Sequence, residues 1–245
     1  MRDIISRFAP APTGFLHVGH VVNAIHVWSL ATRVLLRIED HDRQRSRPEY
    51  ERALERLRAQ NLVYACRCSR AARYGGACRD LGLADSTGMS LRVRLEPSIE
   101  RFVDLRHGAI EQNPSEQCGD IVIRDRDGNW TYQFAVTVDD MEQGVNLVIR
   151  GDDLLDSTGR QLQLGRLLGR AEPPRFLHHA LIMKSASQKL SKSDHDTGIR
   201  DRRSAGWTPE RVIGHAAFLV GLITEPRDVQ ASEVSSIIRV SNEDL

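Results

Sequence analysis

The beginning of the chain alternates between short apolar segments and segments in which apolar residues recur at helical spacing. The apolar segments 4–8 and 34–38 predict two β-strands. A helical pattern covers about 19–32, and Pro48 begins a second helix, because proline is tolerated in a first helical turn. The apolar face of this second helix carries Tyr50, Ala53, Leu54 and Leu57. Strands that alternate with helices favour a parallel sheet, so we predict an α/β fold.

The alternation stops between about 62 and 117, where short apolar segments, glycines and cysteines follow one another. Strands are predicted at 91–95 and 101–105. We expect a small inserted domain here. The predicted organisation is a first half of the main domain at 1–60, the insertion at 61–118, the second half at 119–193, and a C-terminal helical segment at 194–245.

The second half of the main domain begins with a predicted β-hairpin. Its strands are 121–123 and 132–138, and the Asp-Gly-Asn sequence at 127–129 supplies the backbone conformations that a short turn needs. The other predicted elements are strands at 146–150 and 176–183, a helix at 157–168, and a helix that starts at Thr208 and Pro209 and runs to about Gly221.

The composition excludes some classes of protein. The formal net charge of +1 excludes an overall polybasic nucleic-acid binder, although it leaves room for a local basic face. No apolar run reaches the length of about 18 residues that a membrane-spanning helix needs. The first residues lack the apolar segment of a secretion signal, so we expect a cytoplasmic protein.

The lysines are concentrated in one short segment. Only three of the 34 basic residues are lysines, namely Lys184, Lys189 and Lys192. Two of them fall in the polar sequence KLSKS at 189–193. Ammonium groups in such a loop suit the phosphates of a leaving pyrophosphate, whose charge they neutralise in the transition state. Taken alone, the loop is more typical of a solvated surface segment.

A second segment, HVGH at 17–20, lies where a loop becomes a helix. A helix start offers free amide donors and a positive dipole end, and Gly19 allows a nucleotide to approach the backbone closely. His17 and His20 can donate hydrogen bonds to an α-phosphate as charge builds on its oxygens. An isolated motif of this kind is more often a pair of helix-capping histidines. Together with the later lysine loop, it indicates a nucleotide-binding site.

These two segments resemble the HIGH and KMSKS signatures of the class I aminoacyl-tRNA synthetases. Three further segments resemble the glutamyl branch of that family, namely RFAPAPTGFLH at 7–17, RIED at 37–40 and WTYQFA at 130–135. The resemblance extends from residue 4 to about residue 222. It implies a Rossmann-like parallel sheet with a small zinc-bearing insertion. It also implies a ligase that uses ATP and Mg²⁺ to activate L-glutamate as glutamyl-adenylate.

The resemblance also implies a glutamate pocket. Arg7 and Arg150 align with guanidinium contacts to the substrate, and Glu39 aligns with the carboxylate that receives its ammonium group. Tyr132 adds a hydroxyl group and a ring wall. The stretch that lines the pocket comprises Arg7, Phe8, Ala9, Pro10 and Ala11. The implied catalytic residues are His17, His20, Lys189 and Lys192, and the implied ATP-binding residues are His17, Gly19, His20 and Lys192.

The chain departs from the glutamyl pattern in two residues and in length. Ala11 stands where the family usually has serine, and Gly159 stands where proline is common. Between 31 and 34, between 54 and 57, and between 68 and 74, the chain is shorter than its family. These are either deletions or segments that this sequence omits.

The inserted region contains a cluster of three cysteines, Cys66, Cys68 and Cys78. In a reducing compartment this spacing indicates a metal site more than disulfides, and three thiolates are one ligand short of tetrahedral zinc. In conventional glutamyl enzymes the fourth ligand is a histidine, at the position where this chain has Asp80. Shorter relatives use a tyrosine at the position of Tyr74, and Cys118 is the competing ligand. Reduced cysteines without metal are the remaining alternative.

The place of the lysine loop in the chain bears on the RNA substrate. Only residues 194–245 follow it, whereas conventional glutamyl-tRNA synthetases carry a further anticodon-binding domain. The chain therefore resembles the short relatives that attach glutamate to the queuosine base of tRNA(Asp), and we expect a monomer of that kind. The intact His20, which some of those relatives lose, keeps open a truncated catalytic domain that charges tRNA(Glu). A paralogue that binds RNA without catalysis is a third alternative.

Overall fold

The computed structural model describes residues 3–10, 14–36, 47–68, 74–185, 188–189 and 198–238. The strands are β1 (Ile5–Phe8), β2 (Arg33–Leu36), β3 (Val63–Cys66), β4 (Ser90–Val93), β5 (Glu100–Asp104), β6 (Gly108–Gln112), β7 (Ile121–Arg124), β8 (Leu147–Gly151), β9 (Arg175–His179), β10 (Met183–Ser185) and β11 (Gln188–Lys189). The helices are α1 (Val18–Leu30), α2 (Pro48–Ala59), α3 (Pro114–Gln117), α4 (Tyr132–Glu142), α5 (Thr158–Leu167), α6 (Ile199–Ser204), α7 (Pro209–Leu219) and α8 (Val234–Ile237).

The α/β fold is confirmed, but the prediction of a purely parallel sheet is wrong. β1 pairs with β2 in parallel, and β8 pairs with β9 in parallel. β5 is parallel to β9 on one side and antiparallel to β6 on the other, which makes the four-stranded sheet mixed. The short connection from 104 to 108 explains the difference, because a tight turn can join only antiparallel neighbours.

Asn146 joins β1 to β8, the two strands that carry the predicted arginines. Its side-chain oxygen accepts a hydrogen bond from the backbone amide of Ile5 at 2.8 Å. Its backbone amide donates a hydrogen bond to the carbonyl oxygen of Ile5 at 3.1 Å. Both bonds join the amino-terminal ends of the two strands. At the carboxyl ends, Arg7 and Phe8 of β1 line the same cavity as Arg150 and Gly151 of β8, which is where an open parallel sheet binds its ligands.

The strands within 61–118 belong to two different sheets. β3 and β4 form an antiparallel sheet with β7, whereas β5 and β6 extend the sheet that contains β8 and β9. The four segment boundaries predicted from the sequence stay a prediction.

The predicted hairpin at 121–138 is wrong in its second strand. Residues from Tyr132 onward form α4, and Asp125 closes the preceding turn by accepting hydrogen bonds from the amides of Asp127 and Asn129. Phe134, Ala135 and Val138 lie on one buried face, a spacing that fits a helix as well as a strand over so few residues. The turn residues were correctly identified, but they lead into a helix.

The predicted helix at Pro48 is confirmed, and it packs on the same core as α4. Tyr50, Leu54 and Leu57 are fully buried, and the Tyr50 ring contacts Trp130 and Phe134 edge-on at 5.7 and 6.0 Å. The predicted strand at 176–183 is shorter in the structure, because β9 ends at His179. Across the described residues, no helix has the length and apolar character needed to cross a membrane.

Candidate active site

A cavity of about 570 Å³ lies where β1 and the start of α1 meet the carboxyl ends of β8 and β9. Its wall contains nine of the site residues predicted from the sequence, which come from distant parts of the chain. They are Arg7, Phe8, Ala9, Pro10, His17, Gly19, His20, Tyr132 and Arg150. One cavity thus contains both the HVGH motif and the described members of the glutamate pocket.

Some of the predicted site residues cannot be placed relative to this cavity. Ala11, Glu39 and Lys192 lie outside the described residues. Lys189 belongs to β11, of which only the backbone is described. The contact to the substrate ammonium and the role of the lysine loop therefore stay predictions.

The HVGH motif forms the N-terminal cap of α1. His17 is the N-cap residue, and its Nδ1 accepts a hydrogen bond from the amide of Gly19 at 3.1 Å. The amide of His17 donates in turn to Nδ1 of His20 at 3.1 Å, and the two ring centroids are 3.9 Å apart. The structural role of helix capping is therefore real. The same residues also belong to the cavity wall, because His17, Gly19 and His20 line it.

Arg150 is a buried cation in the cavity wall. Its Nε donates to His178 at 2.9 Å, and its two terminal nitrogens donate to Gln161 at 2.6 Å and to Thr158 at 2.9 Å. These partners are neutral side chains, and no carboxylate of a described residue forms an ion pair with Arg150. Burial lowers the pKa of Arg150, and Tyr132 and Asp140 act in the opposite direction. A buried guanidinium of this kind favours an anionic ligand in the cavity.

Arg7 differs from Arg150 in having an acidic partner. Its Nη1 lies 2.9 Å from a carboxylate oxygen of Asp140, and both side chains are more than nine-tenths buried. Asp140 is on α4, and the preceding Asp139 faces Arg47 at 3.4 Å. The Arg7–Asp140 pair joins the C-terminal half of α4 to β1, and the Arg47–Asp139 pair joins it to the start of α2.

His178 and Asp104 form a layer behind Arg150 that the sequence did not reveal. His178 is fully buried, and its Nδ1 lies 2.7 Å from Oδ2 of Asp104. The available signal was the pair of histidines in a predicted strand, since successive side chains of a strand point to opposite faces. His179 accordingly lines the cavity, whereas His178 faces the carboxylate.

Sequence reasoning also missed Asn23, which lines the cavity, and His26, which packs against the cavity residue His179. The Asn23 amide lies 3.1 Å from the carbonyl of Ile149 and 3.2 Å from Nε2 of His179. The His26 ring stacks on that of His179 at 4.8 Å. Burial and the neighbouring His179 lower the pKa of His26 to about 4, and burial also lowers that of His179, so both rings are neutral at pH 7. Asn23 follows Gly19 by four residues, so helical periodicity was the signal.

The predicted metal ligands meet at the end of β3. The sulfur atoms of Cys66, Cys68 and Cys78 lie within 4.8 Å of one another. The Tyr74 oxygen is 3.4 Å from Sγ of Cys66 and accepts a hydrogen bond from the Cys78 amide at 2.8 Å. This hydroxyl lowers the pKa of Cys78 to about 7. Three thiols and one phenol oxygen around a common point provide the four donors of a tetrahedral zinc site.

The two other residues considered for this site point elsewhere. Sγ of Cys118 lies 3.2 Å from the carbonyl oxygens of Pro114 and Gly119. Asp80 pairs with Arg94 at 2.6 Å, and its side chain is 84% exposed. Among the described cysteines and acidic residues, only the three clustered thiols are grouped closely enough to hold a metal.

Comparisons with known proteins identify the family of the chain. The family model described as tRNA synthetases class I (E and Q), catalytic domain, matches residues 3–74 and 53–225. The glutamyl-Q tRNA(Asp) synthetase of Pseudomonas entomophila (strain L48) is 40% identical over an alignment of 228 positions, and the alignment covers 77% of this chain and 77% of the other. The glutamyl-Q tRNA(Asp) synthetase of Symbiobacterium thermophilum is 35% identical over 295 residues, covering 94% of this chain and 91% of the other. That alignment is longer than this chain, so the relative carries segments that this chain lacks.

Two solved structures resemble the fold. One is a glutamate tRNA ligase from Elizabethkingia meningosepticum in complex with its amino acid, with a TM-score of 0.67, 24% identity and coverage of 80% of this chain. The other is the glutamate-tRNA synthetase of Elizabethkingia anophelis, with a TM-score of 0.66 and 24% identity. This chain spans about half the length of those proteins, 53% and 54%. With the family match over most of its length, the chain belongs to the class I tRNA synthetases (E and Q).

Proposed function

We propose that this protein activates L-glutamate with ATP and transfers the glutamyl group to the queuosine base of tRNA(Asp). The observation that carries the proposal is the cavity in which Arg150, a buried cation that forms no ion pair with a carboxylate of the described residues, lies near the cap of α1. The relatives named glutamyl-Q tRNA(Asp) synthetase support the choice of RNA.

In the first step a carboxylate oxygen of glutamate attacks the α-phosphorus of ATP. A new P–O bond forms to the carboxylate, the bond from the α-phosphorus to the bridging oxygen breaks, and pyrophosphate leaves with the electron pair. His17 and His20 donate hydrogen bonds to the α-phosphate oxygens, and the glycine between them leaves room for the nucleotide. Lys189 and Lys192 neutralise the departing pyrophosphate. Mg²⁺ supplies further neutralisation of phosphate charge when it is bound with ATP.

Glutamate recognition is the task of the charged side chains around the cavity. Arg150 binds one substrate carboxylate, for which its guanidinium is already held in place by three neutral acceptors. Arg7, whose charge is shared with Asp140, contributes the second positive group. Tyr132 forms a side wall, and Glu39 receives the substrate ammonium. Because Arg7, Tyr132 and Arg150 are already in position before the reaction, the rate gain comes from orientation and electrostatics.

Zinc in this proposal is structural. Cys66, Cys68, Tyr74 and Cys78 hold it, and the donor set fits because three thiols and a phenol oxygen already converge. All four positions are filled by side chains, so no coordination site is left for a substrate. The metal stabilises the region around β3 and β4, which we assign to contact with RNA.

The proposal is tested by charging assays with labelled glutamate, ATP, and either tRNA(Asp) containing queuosine or tRNA(Glu). Transfer to queuosine-containing tRNA(Asp), and not to the same tRNA without queuosine, is the expected result. Charging of tRNA(Glu) alone would identify a truncated conventional enzyme instead. Pyrophosphate exchange that depends on glutamate and needs no RNA separates an enzyme from a non-catalytic RNA-binding paralogue. A cytoplasmic, monomeric enzyme remains our prediction.

A further inference from the structure

Three buried residues form a hydrogen-bonded row that ends at the cavity. Asp104 on β5, His178 on β9 and Arg150 on β8 are 1%, 0% and 6% exposed. Asp104 and His178 are not part of the cavity wall, and the proposed reaction gives them no role. Burying a carboxylate and an imidazole destabilises the folded state unless their hydrogen bonds compensate for the lost solvation, so this row requires an explanation.

The proton on the His178 ring has one possible position in this row. An arginine side chain has only donors, so Nε2 of His178, 2.9 Å from Nε of Arg150, accepts a hydrogen bond. The proton therefore resides on Nδ1, which donates to Oδ2 of Asp104 at 2.7 Å. Thr158, whose oxygen is 3.2 Å from the same Nε2, bridges the ring and the guanidinium.

Asp104 is held as a carboxylate by its other partners. Its Oδ2 also accepts from the amide of His178 at 3.0 Å, and its Oδ1 accepts from the amides of Arg106 and His107 at 2.9 and 3.0 Å. Burial alone raises the pKa of Asp104, but the hydrogen bonds from His178 and these amides bring it below its usual range. The carboxylate therefore remains ionised, and it accepts a hydrogen bond from Nδ1 of His178 without becoming protonated.

We propose that Asp104 and His178 are positioning residues for Arg150. Asp104 fixes the proton on Nδ1 of His178, and the lone pair on Nε2 then fixes the guanidinium in the orientation that receives a substrate carboxylate. The inference rests on the proposed function, because it takes Arg150 as a contact to glutamate. It adds a second layer of residues that determine how well glutamate binds.

An Asp104→Asn variant tests the proton position directly. The new amide keeps the shape of the carboxylate, but its nitrogen donates toward His178. Nδ1 must then accept, the proton moves to Nε2, and it opposes the N–H of Arg150. We expect KM for glutamate in RNA-independent pyrophosphate exchange to rise about tenfold to 100-fold, while KM for ATP stays unchanged. ¹⁵N spectra of the histidine rings should show Nδ1 protonated in the wild type and Nε2 protonated in the variant.

Two substitutions of His178 separate positioning from simple core structure. In His178→Gln the terminal amide oxygen reaches the place of Nε2 and can accept from Arg150. In His178→Asn the shorter side chain reaches only the place of Nδ1. Positioning predicts that KM for glutamate stays within about threefold in the Gln variant and rises about tenfold or more in the Asn variant. Equal KM values in both variants would overturn the proposal.

The outcomes also separate this inference from the proposed function. A wild-type protein without glutamate-dependent exchange overturns the proposed function. An active wild type with unchanged KM in Asp104→Asn overturns the positioning role alone. If Asp104→Asn does not fold, the wild-type spectrum decides, because a His178 ring protonated on Nε2 at neutral pH contradicts the inference. Glu111→Gln on β6, an exposed residue paired with Arg101, is the control and should leave both KM values unchanged.

Discussion

The backbone amide of Gly159 donates a hydrogen bond of 2.6 Å to the side-chain oxygen of Gln112. A Cβ atom added to Gly159 would lie 2.8 Å from Cβ of Gln112, closer than two such carbons can approach. The glutamyl pattern commonly has proline at this position, which has neither the donor nor the small size. Glycine here is therefore matched to Gln112, and the hydrogen bond joins α5 to the end of β6.

A Gly159→Pro variant should be less stable than the wild type. We expect the free energy of unfolding, measured with urea, to fall by about 2–4 kcal/mol. The steric clash with Gln112 and the loss of the hydrogen bond to its buried side-chain oxygen both destabilise the folded state. Adding Gln112→Ala should recover part of that loss, although Gln112→Ala alone destabilises the wild type. Strictly additive effects would contradict the coupling of the two residues.

The cysteine cluster should bind zinc, and its affinity for zinc should depend on Tyr74. Elemental analysis of fresh protein should find about one zinc ion per chain, and a chelator should lower the melting temperature. Tyr74→Phe should weaken zinc retention against the chelator about tenfold or more, because one of four ligands is lost. Cys118→Ala is the matched control and should retain zinc like the wild type. Protein without zinc, or loss of zinc only in the Cys118 variant, would refute the ligand set.

Lys192→Ala should affect the rate of glutamate activation more than glutamate binding. The ammonium group is assigned to charge that develops on pyrophosphate in the transition state. We expect kcat of pyrophosphate exchange to fall about 100-fold while KM for glutamate changes little. Lys184→Ala, which removes the one clustered lysine outside KLSKS, should keep the wild-type rate. An unchanged turnover number in Lys192→Ala would remove its assigned role.

Asp120 should contribute stability that depends on pH. It accepts hydrogen bonds from Tyr64 at 2.5 Å, from Arg79 at 2.6 Å and from the amide of Leu95 at 2.9 Å. Burial alone raises its pKa, but the Arg79 and Tyr64 hydrogen bonds hold it below the usual range. We expect Asp120→Asn to lower the free energy of unfolding by about 2–4 kcal/mol at pH 7.

The pH profile gives the sign of this contribution. Because the pKa of Asp120 is lower in the folded state, its contribution is complete above the ordinary aspartate pKa of about 3.9 and is lost as pH falls through the folded value. The difference between wild type and Asp120→Asn should therefore shrink below about pH 4 in urea titrations. The exposed Asp80→Asn is the control and should change stability little at any pH. A difference that grows toward acid would contradict the assignment.

The sequence predicted the elements with strong local signals and missed those defined by distant partners. Pro48 and the buried face from Tyr50 to Leu57 identified α2, and HVGH identified the start of α1. The segment 132–138 was misassigned because its apolar spacing fits two periods, and only packing on Tyr50 and Trp130 selects the helix. Asp104 could not be linked to His178, since 74 positions separate them and no local pattern connects the two.

The last described segment of the chain returns to the first. Ile4 and Ile238 pack on the same apolar cluster with Val27 and Leu30, at the end of α1 away from its histidine cap, and Ser29 donates to the carbonyl of Val234. Twelve helical steps separate the two ends of α1, a distance of about 18 Å. A tether or fluorophore attached beside residue 4 or residue 238 would thus lie a full helix length from the cap, so the protein can be immobilised at that cluster without covering the histidine cap.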